Sequence, residues 1–65
     1  MPNVDAALAA LTEARLLAET EGSLEEISSA ADVAIKALKD DTISDADLEG
    51  LHPSVERKVR TILGR

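Results

Sequence analysis

"SLEEISSAADVAIKALK", residues 23–39, opens on Ser23-Leu24-Glu25-Glu26 and then repeats apolar residues at intervals of three and four. An S-x-x-E opening reads as a capping box: the serine hydroxyl and the glutamate carboxylate each satisfy a backbone N–H that a helix start leaves without a partner. Leu24, Ile27, Ala31, Ala34, Ile35 and Leu38 share one helical face, which Ala30 and Ala37 extend. Lys36 and Lys39 stand in the last turn, where cations complement the helix dipole, before Asp40-Asp41-Thr42 breaks the pattern. The spacing predicts a helix to about Lys39, and the alanines at 30, 34 and 37 let a neighbouring helix come close.

On the N-terminal side the pattern predicts a first helix from Val4 to Thr20, with Asn3 as N-cap, Asp5 in the first turn and Gly22 just past the end. Its main apolar stripe is Val4, Ala7, Leu8, Leu11, Ala14 and Ala18. At about 100° per residue, Leu17 joins Ala6 and Ala10 on one flank of that stripe, and Leu16 joins Ala9 on the other. An outer helix of a small bundle needs one stripe only. Leu16 and Leu17 are therefore surplus, and with Ala6 and Ala10 admitting a second backbone they are the residues expected to carry self-association.

On the C-terminal side Ser44-Asp45-Ala46-Asp47 reads as a second cap, leading a short helix that Gly50 ends. Pro53 suits the first turn of a last helix running to about Leu63, with Val55, Val59, Ile62 and Leu63 on one face. No strand-like alternation occurs. The expected fold is all-α, a single helical domain over residues 1–65: two long antiparallel helices, a short helix and a C-terminal helix.

Composition narrows the function. A chain of 65 residues buries only about 60% of its unfolded surface. Of its 29 apolar residues 11 are alanine and none is aromatic, so the core is thin and a partner or second copy is expected to supplement it. Without cysteine there is no disulfide or thiolate staple. The longest apolar run, Ala6–Leu11, is too short for a signal segment or membrane span, so a soluble, cytoplasmic protein is expected. Residues 1–51 carry 12 acids against three bases, whereas residues 52–65 carry one acid and four bases. That acidic body opposes general phosphate binding.

Two motifs bear weighing. "DADLEGLHPSVE", residues 45–56, comes within one residue of the calcium-loop pattern, but Asp41-Thr42-Ile43-Ser44 before it read as a turn and cap rather than an entering helix. His52 and Pro53 also occupy slots where such a loop wants other residues, so no metal site is expected. Residues 42–61 partially resemble the helix-turn-helix, the bihelical DNA-binding motif, with Ala46, Gly50, Leu51 and Val59 in matching positions. The resemblance implies that Arg57, Lys58 and Arg60 would lie on a recognition helix. Glu49 and Glu56 stand where that motif wants apolar side chains. His52 is the only histidine, and Ser28, Ser29 and Ser54 have no evident base, so neither catalysis nor a cofactor nor a small-molecule substrate is expected. The sequence thus favours a small acidic helical protein-interaction module, self-associating as a homodimer, over the DNA-binding alternative.

Overall fold

The computed structural model describes all 65 residues and contains four helices: α1 (Val4–Glu21), α2 (Glu25–Leu38), α3 (Asp45–Glu49) and α4 (Pro53–Leu63). This is the all-α architecture that the periodicity implies, with α1 and α2 packed together. The caps explain most of the boundaries. Asn3 Oδ1 accepts from the Ala6 N–H at 2.9 Å, and Gly22 ends α1 in the left-handed conformation at φ 71° while its N–H donates to the Ala18 carbonyl. At Ser44 the capping box is complete: its hydroxyl accepts from the Asp47 N–H at 3.2 Å, and Asp47 Oδ2 accepts from the Ser44 N–H at 2.9 Å.

The box expected at Ser23 does not form. Leu24 is already in the right-handed helical region and is itself the N-cap of α2, with no side-chain cap. Ser23 Oγ donates instead to Glu26 Oε1 at 3.3 Å. Side chain meets side chain because the backbone turns into the helix one residue late, carrying the hydroxyl away from the N–H it was to receive. At the other end of α2, Asp40 takes the left-handed position at φ 61°, and the Asp41 N–H donates to the Lys36 carbonyl at 2.9 Å. Glycine is the usual residue there; aspartate is among the few others that tolerate it.

Three contacts fix how the helices lie. The Asn3 N–H donates to the Ala37 carbonyl at 2.9 Å, so the start of α1 is level with the end of α2 and the two run antiparallel. Lys36 Nζ reaches Asp47 Oδ2 at 2.8 Å, which places α3 beside α2. His52, the N-cap of α4, stands 4.0 Å from Glu21 at the end of α1, while Leu63 and Asn3 border one depression at the other end. Helix α4 therefore runs antiparallel beneath α1. The result is two layers, α1 and α2 above α3 and α4.

Between the layers lies a core of 14 buried residues, seven of which are alanine: Ala6, Ala7, Ala10, Ala14, Ala30, Ala34 and Ala37. Leu17, Val33, Ile43, Leu48, Leu51, Val55 and Val59 supply the bulk. This corrects the reading of α1. Ala7 and Ala14 are buried, but Val4, Leu8 and Leu11 of the expected stripe are 40–57% exposed, and the supposed flank of Ala6, Ala10 and Leu17 is core. Helix α1 has two neighbours rather than one, so the buried arc centres between them, and alanine admits both backbones at close range. On α2, likewise, Leu24, Ile27, Ile35 and Leu38 are exposed, and Ala30, Val33, Ala34 and Ala37 are buried.

The caps lead to a prediction. Ser44→Ala removes a formed capping box and should cost about 1 kcal/mol, lowering the melting temperature by roughly 4–8 °C. Ser23→Ala should leave thermal unfolding, followed by circular dichroism, nearly unchanged; an equal loss at both sites would mean that Ser23 caps α2 after all.

Candidate interaction surface

More large apolar side chains lie outside this molecule than inside it. Of the 18 leucines, isoleucines, valines and methionine, seven are buried and ten are 40% or more exposed. An expanded chain is not the cause. The radius of gyration is 10.5 Å, against about 10.7 Å for a compact domain of this length.

Seven of the ten converge. On α1, moving round the helix at about 100° per residue, the side facing α4 is followed by Ala14 and Ala7 facing α2, and then by Leu11, Val4 and Leu8. On α2 the side facing α3, marked by Lys36 and Val33, is followed by Ala30 and Ala34 facing α1, and then by Ile27, Leu38, Leu24 and Ile35, with Ala31 among them. Because the two helices are antiparallel, these turns in the same sense bring both exposed stripes to the same side of the α1–α2 seam, opposite α3 and α4. Val4, Leu8, Leu11, Leu24, Ile27, Ile35 and Leu38 therefore form one apolar face. Arg15 is the one charged residue within its angular span on α1, and it is paired with Glu19 at 3.0 Å.

The residues singled out for self-association are distributed differently. Ala6, Ala10 and Leu17 belong to the core of the chain itself, so a partner cannot reach them without opening the bundle. Leu16 is 49% exposed on the outer flank of α1, bordered by Thr12, Arg15 and Glu19, away from the seam. The larger stripes were visible in the spacing, but as the faces expected to turn inward. Each long helix carries two apolar stripes side by side, one of alanines and one of larger residues, and the alanine stripe is the one that the bundle uses.

The charged residues at the C-terminal end mostly serve the fold. Arg60 Nε donates to Glu56 Oε2 at 2.7 Å and lies 3.7 Å from Asp45, an arrangement that holds its guanidinium more firmly protonated than usual. Arg65 bonds Asp45 Oδ1 at 2.7 Å and the Ile43 carbonyl, tying the C-terminus to the start of α3. Arg57 and Lys58 are exposed and outside these pairs. A short turn, Gly50-Leu51-His52, does join α3 to α4, and Leu51 and Val59 are buried. The two helices nevertheless carry four acids against three bases, one of which is Arg60.

The 45–56 stretch is helix, turn and helix rather than a loop, and three of its four carboxylates, those of Asp45, Asp47 and Glu56, are paired within the chain. Asp47 accepts from Lys36 and Ser44, and Asp45 from Arg65. His52 Nδ1 accepts from the Ser54 N–H at 3.1 Å, so the imidazole caps α4. The largest surface depression, about 370 Å³, is lined by Asp32, Ile35, Lys36, Lys39, Asp41 and Asp47. No helix is long and apolar enough to cross a membrane. Comparison of the chain with protein-family models, curated proteins and solved structures finds no match.

Asp47 makes the polar end testable. The Lys36 ammonium, followed by the Ser44 N–H and hydroxyl, holds its carboxyl at about 2, below the usual value of about 3.9. A depressed carboxylate stabilises the fold above its unfolded value, and that contribution is lost as pH falls towards the folded one. Asp47→Asn should therefore be less stable than wild type at pH 5, and the gap should close between about pH 4 and pH 2. Urea unfolding at both ends of that range checks this; an undiminished gap at pH 2 would mean that the ionised carboxylate is not what matters.

Proposed function

We propose that this protein is a protein-interaction module that self-associates through the apolar face along the α1–α2 seam, the occupant of that face being a second copy. The observation that carries the reading is the inversion of size in α1 and α2: alanines fill the seam, and Val4, Leu8, Leu11, Leu24, Ile27, Ile35 and Leu38 stand outside it, 40–71% exposed. Monomers expose single apolar side chains routinely, but seven on one face mark an interaction surface.

Magnitudes favour a reversible dimer. Burying a fully exposed aliphatic side chain contributes roughly 1.5–3 kcal/mol, so seven half-exposed ones from each of two copies supply about 10–20 kcal/mol gross. Association costs about 4–15 kcal/mol. The mid-range surplus, about 5 kcal/mol, corresponds to a Kd on the order of 0.1 mM. A second copy suits the surface because it brings the same stripe, whose one charge, Arg15, is paired with Glu19, whereas the acidic remainder of the chain would repel it elsewhere.

Sedimentation equilibrium from about 10 µM to 1 mM, a range that brackets this Kd, should show a monomer–dimer equilibrium. Leu8→Glu or Ile35→Glu should abolish it with helical content retained, because both positions are at least half exposed. Leu16→Glu should leave it unchanged. A wild type that stays monomeric throughout, or a dimer lost only with Leu16→Glu, contradicts the proposal.

A further inference from the structure

Resting on that self-association, we infer how the two copies sit: α1 of each lies against α2 of the other with corresponding ends aligned, as a four-helix bundle closed at one end by reciprocal Asp5–Lys39 pairs. A two-fold axis in the plane of the interface can run along the helices or across them. Along them, α1 faces the partner's α2 and like ends meet; across them, each helix faces its own copy end to end.

The distribution of side chains on the face selects the first. Val4, Leu8 and Leu11 occupy the half of the face near the start of α1, and Ile35 and Leu38 are level with them at the end of α2. The other half has Leu24 and Ile27 on α2 but Arg15 on α1. With like ends aligned, the five large residues of one copy meet the same five of the other. With ends reversed, Leu8 and Val4 would meet the turn that carries Arg15 and Glu19.

The rim charges agree. Asp5 and Lys39 stand at the same end of the molecule, about 95° and 80° round their helices from the centres of their stripes, on opposite edges of the face. Neither takes part in any ion pair within the chain. Rotation about an axis along the helices carries Lys39 of the second copy to the edge where Asp5 lies, and by symmetry the converse, so each pair forms twice. The reversed arrangement offers Lys39 only Glu25, which lies about 120° round α2 and points away from the interface.

Charge reversal tests the arrangement. Asp5→Lys and Lys39→Asp should each weaken dimerisation about three- to thirtyfold, as two exposed pairs turn repulsive. The double variant should dimerise like wild type even though both substitutions oppose the helix dipoles and lower the melting temperature. The chain has no cysteine, so mixing Asp5→Cys with Lys39→Cys protein under oxidising conditions should give chiefly the disulfide between the two variants. Wild-type dimerisation that ignores the reversals, a double variant without recovery, or predominant disulfides within one variant would overturn the arrangement while leaving self-association standing. A wild type monomeric at about 1 mM, roughly ten times the expected Kd, would overturn both.

Discussion

Close approach of α1 and α2 through alanine is the contact on which the other features depend. Ala7 and Ala14 on one helix and Ala30, Ala34 and Ala37 on the other leave the backbones little to hold them apart. Small side chains in a seam permit close packing, and close packing gains dispersion contacts along it. It also leaves no room for a leucine in the seam. Larger side chains one step round each helix are therefore displaced to its edge, and antiparallel direction places both edges on the same side. The core and the exposed face are two consequences of one packing choice.

Having used alanine above, the bundle needs bulk below. Leu48, Leu51, Val55 and Val59 come from the short helix, the turn and α4, and they fill the space under α1 and α2 together with Leu17 and Val33. That lower layer is held in place by polar contacts at its ends: the Ser44 box with Lys36 on Asp47, His52 over the start of α4, and Arg65 returning to Asp45 and Ile43. Such contacts on accessible groups are individually weak, which suits an orienting role better than a stabilising one. The basic tail of the sequence is in this sense structural at Arg60 and Arg65, leaving Arg57 and Lys58 facing outward.

Helix number, order and most ends were legible in the sequence, because caps and breakers are local: Asn3, Gly22, Ser44 and Pro53 act within one turn of themselves. Ser23 shows the limit of that reading. The residue types of a capping box were present, but a box is a backbone conformation, and α2 starts one residue later than the box requires, with Leu24 rather than Ser23 as its N-cap. The facing of α1 was harder for a different reason. Hydrophobic size pointed to Val4, Leu8 and Leu11 as inward, whereas burial depended on how many neighbours α1 has, and the spacing within one helix does not count them. Leu17, expected outside, is inside because α4 returns beneath α1. The expectation of surplus apolar surface on α1 outlasts that correction, but the surface lies elsewhere on the helix than where it was placed, and it is shared with α2.

The central claim, that the displaced leucines, isoleucines and valine form a single face covered by a second copy, is tested most directly by methyl chemical shifts followed over a dilution series from about 1 mM to 10 µM, spanning the expected Kd. The methyls of Val4, Leu8, Leu11, Leu24, Ile27, Ile35 and Leu38 should shift together along one binding curve, while those of Val33, Leu48, Val55 and Val59, which are buried in the lower core, stay in place. Shifts confined to Leu16 or Ile62, or none at any concentration, would contradict it.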